Sequence, residues 1–305
     1  MSLVIIGTVA FDAIETPFGK TDKIVGGSAT YVGYSATKLG VNPKLVAVVG
    51  DDFPNETIAD FKNAGFDLEG LQIKEGEKTF FWSGRYHNDM NSRDTLVTEL
   101  NVLESFNPVI PESYQDCTYL MLGNLAPAIQ EKVITGMKNR PKLIAMDTMN
   151  FWMDIAMDDL KKTISKVDVL TINDEEARQL SDEYSLLKAA EKIQEMGPKY
   201  VIIKKGEHGA LLFHGKEMFY APALLLPKVV DPTGAGDTFA GGFMGYLAST
   251  DDTSFENMKR ALVYGSALAS FSVQEFGTAK IREVTSSELD GRINEFKSLM
   301  SFTHK

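Results

Sequence analysis

Residues 229–247 read VVDPTGAGDTFAGGFMGYL, which is a β-branched pair, a proline, a Gly-Ala-Gly sequence and then apolar residues at helical spacing. This order predicts a loop followed by a helix that begins near Gly234 or Ala235. The first amides of a helix have no partner within it, and together with the helix dipole they attract an anion. Gly234 and Gly236 leave the backbone open to that anion because they carry no side chain. The stretch therefore predicts an anion-binding helix start.

Asp237 falls in the first turn of this predicted helix, beside the anion. An acidic residue there commonly serves only as a partner for the helix dipole, and we expect the dipole to lower its pKa. A carboxylate next to an anion-binding loop also suits phosphoryl transfer, because it can orient a hydroxyl and accept its proton while amides hold the charge. Both interpretations of Asp237 remain open on this stretch alone.

Two common phosphate-binding loops are excluded by the sequence. A dinucleotide fingerprint would require a third glycine at position 239, which is Phe239. A Walker A loop would require a glycine five residues before a Gly-Lys pair, and Gly19-Lys20-Thr21 has Ile14 at that position. Gly215-Lys216 fails too, because Ala210 stands at the upstream position and Glu217 follows the lysine.

The composition is that of an ordinary globular protein, with 44% hydrophobic and 24% charged residues among 305. A formal net charge of −11 argues against nucleic-acid and anionic-membrane partners, which favour a basic surface. The single cysteine, Cys117, excludes an internal disulfide and a cysteine metal cluster. No signal-like start or long apolar run is present, so we expect a cytoplasmic protein.

The second half of the chain alternates between predicted strands and helices. Short apolar runs at 119–122, 143–146, 167–172, 201–204 and 210–213 are separated mainly by segments of helical pattern. Such alternation predicts a parallel sheet with helices on both faces. Because no repeat, low-complexity run or long linker interrupts the chain, residues 1–305 are predicted to form one α/β domain with a small lid.

The nine residues from Asp231 to Phe239 resemble the C-terminal signature of the ribokinase-like (PfkB) carbohydrate kinases. The resemblance extends in order through Asp12, Gly26-Gly27, Gly50 and several later positions. It implies a three-layer α/β/α fold with a mostly parallel central sheet and a small β-lid. It also implies an ATP-dependent kinase in which Asp237 is the base and Gly234, Ala235 and Gly236 form the anion hole.

The family's acceptor-binding elements match Asp12, Gly26 and Gly27 in this chain. Asp12 follows the first predicted strand, where open α/β sheets bind ligands, although a turn-capping aspartate fits the same position. The glycine pair permits close approach of a ligand or of a neighbouring strand. Where the family usually has asparagine, four residues after the second glycine, this chain has Tyr31. That departure argues against a standard ribose or fructose pocket.

The nucleotide-binding elements of the family match three later segments. Asn173 and Glu176 match an Asn-x-x-Glu element in which asparagine faces the phosphates and glutamate holds Mg²⁺ through water, although they also suit a helix start. Lys204, Gly206 and Gly209 match a Thr-x-Gly-x-x-Gly nucleotide turn with lysine in place of threonine, which is equally a hairpin turn. By the same resemblance, Thr233, Ser266 and Ala269 would also contact the nucleotide. For Ala269 the alternative is that it packs only in the core.

The resemblance implies two further features. A loop containing Asp231 and Thr233, together with Gly277, would hold a monovalent cation, for which K⁺ is the candidate. Segments at approximately 13–25 and 71–100 would form the lid. Residues 79–86 carry aromatic side chains on both faces of a predicted strand, so Arg85 could reach the substrate from the lid or lie on a solvated loop. The lid would either close over a monomer or join a homodimer.

The sequence thus predicts an ATP-dependent kinase that phosphorylates a hydroxyl, a primary one, on a sugar or sugar-like small molecule. A nucleoside kinase of the same fold is the alternative, because Tyr31, Phe80 and Trp82 could stack on a base. A non-catalytic nucleotide or sugar sensor is a third, which the presence of both Asp237 and Glu176 disfavours. A single-turnover assay would separate enzyme from sensor.

Overall fold

The computed structural model describes residues 1–301 and contains two β-sheets and eleven α-helices within that range. The strands are β1 Leu3–Ile6, β2 Ala10–Thr16, β3 Gly19–Lys20, β4 Ile24–Gly26, β5 Lys44–Gly50, β6 Asp67–Lys74, β7 Phe81–Tyr86, β8 Arg93–Glu99, β9 Tyr119–Leu122, β10 Leu143–Asp147, β11 Val169–Asn173, β12 Tyr200–Lys204, β13 Ala210–His214 and β14 Glu217–Ala221. The helices are α1 Ser28–Thr37, α2 Asn55–Asn63, α3 Pro127–Thr135, α4 Asn150–Ile155, α5 Met157–Ile164, α6 Asp174–Ser181, α7 Leu186–Glu195, α8 Ala235–Thr250, α9 Phe255–Ser272, α10 Ala279–Glu283 and α11 Ser286–Met300.

The large sheet has nine strands in the order β14-β13-β12-β11-β10-β9-β1-β5-β6. The seven strands from β12 to β6 run parallel, and β13 and β14 close one edge as an antiparallel hairpin. Central strands such as β1 and β9 are buried along their whole length, as expected for strands covered on both faces. The predicted mostly parallel sheet is confirmed.

Helices cover both faces of this sheet and complete three layers. One hydrophobic cluster joins β1, β5 and β9 to α1, α8 and α9, and includes the fully buried Phe243 and Leu262. A second cluster on the other face joins the same strands to α3, α5, α6 and α7, and includes Leu160 and Ile193. Alternate residues of each buried strand therefore supply the two cores, which confirms the predicted three-layer α/β/α architecture.

The small sheet has the strand order β3-β2-β7-β8, with β4 paired to β2, and forms the predicted lid. Its strands lie within residues 10–26 and 81–99. Residues 71–74, expected in the lid, belong to β6 instead, where they pair in parallel with β5 at the edge of the large sheet. Within residues 1–301 no helix is long and apolar enough to cross a membrane.

Candidate active site

The loop before α8 takes the conformation that its glycines permit. Gly234 precedes the helix with φ 72°, and a Cβ there would lie 2.4 Å from the ring of Tyr31, so only glycine fits. The Ala235 amide bonds to the Pro232 carbonyl at 3.2 Å. Among residues 1–301, no acceptor pairs with the amides of Gly236 and Asp237. Free amides at a helix start are what an anion site requires, while the amide of Ala235, predicted as part of that site, bonds to Pro232 instead.

Asp237 is half-buried in the first turn of α8. Burial raises the pKa of its carboxyl group to about 7; the nearby Asp147 adds to the rise, while Lys204 and Arg93 oppose it. The predicted lowering of this pKa is wrong, because desolvation and a second carboxylate outweigh the helix dipole. A carboxyl group with a pKa near neutral is better suited to accept a proton than an ordinary aspartate.

Lys204, at the carboxyl end of β12, forms an ion pair with Asp147 at the carboxyl end of β10. Its Nζ lies 2.8 Å from Oδ2 of Asp147, and the two side chains are only 18% and 7% exposed. The same Nζ would be 3.2 Å from a Cβ on Gly236. The predicted nucleotide turn and the predicted anion-binding loop therefore meet at this ammonium group.

Asn173 and Glu176 form a reciprocal capping box at the start of α6, on the strand between β10 and β12. The Asn173 side chain accepts from the Glu176 amide, and the Glu176 carboxylate accepts from the Asn173 amide, each at 2.8 Å. Burial raises the pKa of Glu176 to about 7; Lys204 opposes the rise and Asp147 adds to it. Both residues therefore cap the start of α6. The Glu176 carboxylate also lies close enough to Lys204 and Asp147 for their charges to act on it.

Asp12 lies on β2, buried against the glycine pair. A Cβ on Gly26 would lie 1.8 Å from Oδ2 of Asp12, and Gly27, with φ 92°, would clash with the Thr8 carbonyl at 2.5 Å. Both glycines are therefore required by close packing. Burial raises the pKa of Asp12 to about 7, and the neighbouring Asp231 adds to the rise.

Tyr31 lies on α1, and its ring packs against Gly234 of the loop that precedes α8. It is 1% exposed, and its hydroxyl has no hydrogen-bond partner among the described residues. Burial raises its pKa well above the usual value, and the charges of Asp12 and Asp231 add to that rise. An unpaired buried hydroxyl between carboxylates is a group that a bound ligand could satisfy.

The lid sheet supplies two further side chains, on β7 and β8. The buried hydroxyl of Tyr86 accepts a hydrogen bond from Thr233 Oγ1 at 3.2 Å, and Tyr86 is paired across the sheet with Arg93. The charge of Arg93 lowers the pKa values of Asp237 and Glu176 against their larger burial effects. Arg85, by contrast, is half exposed and pairs with Glu15 at 2.9 Å, so the structure does not bring its guanidinium to these groups.

Asp231 fastens the loop that precedes α8. Its Oδ1 accepts from the Thr233 amide at 2.9 Å and its Oδ2 from the Gly277 amide at 2.8 Å. The side chain is fully buried, and burial raises its pKa. Gly277 has φ 61°, a conformation that favours glycine. Asp231, Thr233 and Gly277 are therefore brought together, as the predicted cation loop requires.

The remaining predicted nucleotide contacts lie on a turn and on α9. Gly206 and Gly209 adopt φ 53° and 87°, and the turn is closed by a 2.8 Å bond from the Lys205 amide to the Gly209 carbonyl. The tip of the β7–β8 hairpin reaches this turn, since Asn91 Oδ1 would lie 2.9 Å from a Cβ on Gly206. Ser266 and Ala269 are both half-buried on α9, where Ala269 packs against the core.

Sequence reasoning missed Asp147 and gave Tyr86 only as an aromatic face of a strand. Asp147 directly follows the strand predicted at 143–146, just as Asp12 follows an earlier one, and the rule that ligands bind beyond the carboxyl ends of strands would have selected it. No local sequence signal pairs it with Lys204, which is 57 positions later and one strand removed.

Comparison with known proteins agrees with this geometry. The model of the pfkB family of carbohydrate kinases matches residues 2–284. The cytidine kinase of Thermococcus kodakarensis is 32% identical over 249 residues, which cover 80% of this chain and 87% of that protein.

Two solved structures share the fold. The Methanocaldococcus jannaschii nucleoside kinase superposes with a TM-score of 0.77 at 22% identity, covering 97% of this chain and 99% of that one. The Thermotoga maritima ribokinase gives 0.75 at 21% identity, covering 96% and 99%. The chain belongs to the pfkB family of carbohydrate kinases and is an ATP-dependent phosphotransferase that acts on a sugar or nucleoside hydroxyl.

Proposed function

We propose that this protein is a nucleoside kinase that transfers the γ-phosphoryl group of ATP to a primary hydroxyl of the ribose. The observation that carries the choice of acceptor is the aromatic lining beside Asp12. Asp12 on β2 is in register with Trp82 on β7, so the two side chains share one face of the lid sheet. Tyr86 lies four residues further along β7, on that same face. The cytidine kinase relative supports the same choice.

The Trp82 ring would supply the aromatic surface for a planar base. It lies over Gly84, where a Cβ would be 2.2 Å from the ring, and its Nε1 donates to Thr95 Oγ1 at 3.3 Å. Arg93 stands 6.0 Å from the ring centre. Base stacking on an aromatic ring is worth about 1–3 kcal/mol. A nucleoside could therefore place its ribose at Asp12 and its base on Trp82.

The transfer itself would depend on Asp237 and the start of α8. Asp12 and the Gly26–Gly27 backbone would hold the acceptor, and Asp237 would orient the reacting hydroxyl and accept its proton. The free amides of Gly236 and Asp237 would stabilise charge on the transferring phosphoryl group. A pKa of about 7 leaves Asp237 partly ionised at neutral pH, as a base requires.

Glu176 and Asp231 are the residues that would serve the metal ions. Oε2 of Glu176 is bound to the Asn173 amide, which leaves Oε1 to meet a water of a nucleotide-bound Mg²⁺. Residues 1–301 contain no group of three or more His, Cys, Asp or Glu arranged to hold a metal ion, so Mg²⁺ would be held mainly by phosphate oxygens and water. The Asp231–Gly277 loop would hold K⁺.

The test is a panel of five common nucleosides, free ribose and fructose, assayed for ADP release and for the phosphorylated product by mass. We expect nucleosides to exceed both sugars in kcat/KM. Trp82→Leu should raise KM for the best nucleoside about tenfold. Phe81→Leu, on the opposite face of β7, is the matched control and should leave that KM within a few-fold.

The result that would overturn the proposal is preferential phosphorylation of free ribose or fructose, with Trp82→Leu leaving KM unchanged. That outcome would retain the family activity and assign the protein to the sugar kinases instead.

A further inference from the structure

Lys204 brings a full positive charge to a place where the backbone is already positive. Its Nζ would lie 3.2 Å from a Cβ on Gly236, at the start of α8. The Gly236 and Asp237 amides are free there, and the helix dipole adds partial positive charge. An ammonium group in this position is repelled by the helix start unless an anion lies between them.

The counter-charge for this ammonium group comes from Asp147. The Nζ to Oδ2 distance is 2.8 Å, and the other oxygen of Asp147, Oδ1, accepts from the Thr148 amide at 2.9 Å. The charges of Asp147 and Glu176 raise the pKa of Lys204 against the lowering effect of its burial, so the lysine stays protonated. The Lys204 ammonium group is therefore paired with a carboxylate of the same protein, Asp147.

Buried polar atoms without a partner occur on two neighbours of Asp147 and at the start of α8. Thr148 Oγ1 and Thr171 Oγ1 are buried with no partner among the described residues, and Thr171 is the cross-strand neighbour of Asp147. Thr238 Oγ1, in the first turn of α8, is likewise unpaired. Buried hydroxyls without partners are rare in proteins and indicate a region that is completed by a ligand or ordered water.

We propose that Lys204 is a catalytic residue whose ammonium group leaves Asp147 and binds the transferring phosphoryl group. This inference rests on the proposed function and adds to it a cationic side chain that binds the transferring phosphoryl group. The acceptor oxygen forms a bond to the γ-phosphorus while the bond from that phosphorus to the bridging oxygen breaks, and ADP keeps the electron pair. The acceptor's proton passes to Asp237, and Lys204 remains protonated throughout.

The competing explanation is that Lys204 only neutralises Asp147. A buried carboxylate left without its partner destabilises a protein and disturbs its neighbours. Under that explanation, removing both charges together should repair the defect. Under ours it should not, because the phosphoryl group would still lack its ammonium partner.

The experiment measures, by calorimetry with Mg²⁺ and no acceptor, the dissociation constants of ADP and of β,γ-imido ATP. The two nucleotides differ by the γ-phosphoryl group, so the ratio of their dissociation constants reports how much that group contributes to binding. We expect Lys204→Met to reduce the preference for the triphosphate about tenfold or more, as for loss of a charge-assisted hydrogen bond. We expect kcat to fall about a hundredfold, as for loss of an oxyanion-stabilising group. The double variant Lys204→Met/Asp147→Asn should show the same two losses.

Arg140→Met is the matched control, because it also removes the cation from a buried carboxylate, Asp168, at the opposite, amino-end edge of the large sheet. Its preference for the triphosphate should equal that of the wild type. An unchanged preference in Lys204→Met, or recovery of the preference and of kcat in the double variant, would overturn the proposal. If the wild type phosphorylated no nucleoside, the proposed function would fail, while the nucleotide ratio would still decide the role of Lys204.

Discussion

At the amino ends of β10 and β11, Arg140 pairs with Asp168 at 2.9 Å, and at the carboxyl end of β10, Lys204 pairs with Asp147 at 2.8 Å. The two pairs differ in their surroundings. Asp168 also accepts from the Ile144 amide at 2.9 Å, and Arg140 donates to two carbonyl groups. Lys204 faces free amides and a second carboxylate, Glu176.

The same contrast holds for uncharged groups. Five buried side-chain polar atoms lack a partner within residues 1–301, on Tyr31, Gln130, Thr148, Thr171 and Thr238. All belong to residues in or beside the carboxyl-end edge of the large sheet or the helix starts that face it. Each unpaired buried group costs about 1–3 kcal/mol. The ion pair at the amino-end edge is thus completed by backbone partners, whereas the carboxyl-end edge keeps polar groups that we propose meet the substrates.

The largest expected effect comes from Asp237→Asn, which keeps the shape of the side chain and removes its basicity. We expect kcat to fall about a hundredfold or more, since loss of a general base typically costs that much. The affinity for ATP should remain nearly intact. Steady-state kinetics and nucleotide titration measure both quantities, and a kcat within a few-fold of the wild type would remove Asp237 from the reaction.

A smaller effect is expected from pH. Because the pKa values of Asp237 and Asp12 are raised to about 7, both carboxyl groups gain protons as the pH falls through neutrality. Protonated Asp237 cannot accept a proton, so kcat/KM for the acceptor should fall about tenfold per pH unit below pH 7. The apparent pKa belongs to the coupled pair. A profile that is flat between pH 5 and 8 would contradict a base with a raised pKa.

The smallest effect is on stability, and its sign should differ between the two ends of the sheet. A carboxyl group whose pKa is higher in the folded protein binds more protons there, so its contribution to the unfolding free energy falls as pH rises from about 4 to 7. Asp237→Asn should therefore raise Tm at pH 8, by about 2 °C for each kcal/mol, and have little effect near pH 4.

Asp168→Asn is the counterpart at the amino end. It removes an ion pair and weakens the hydrogen bond from the Ile144 amide, so Tm should fall at pH 8. Differential scanning calorimetry of both variants at both pH values gives the comparison. If both substitutions shifted Tm in the same direction at pH 8, the proposed division between the two edges would be wrong.

The sequence predicted those parts of the molecule in which the relevant residues are neighbours in the chain. Gly234, Gly236 and Asp237 lie within one turn of helix, so their pattern alone indicated an anion-binding helix start. The strand–helix alternation likewise predicted the sheet. The Lys204–Asp147 pair could not be predicted, because it joins two strands across β11. The shift of the Asp237 pKa was predicted in the wrong direction, because burial and the approach of Asp147, 90 positions earlier in the chain, are properties of the folded protein.

The contact between Asn91 and Gly206 has a kinetic consequence. The hairpin that carries Asn91 continues through β7 into β2, where Asp12 would hold the acceptor. One hydrogen-bonded sheet thus reaches from the proposed acceptor site to the proposed nucleotide turn. We therefore expect a ligand bound at either site to shift this sheet and so to change access to the other site.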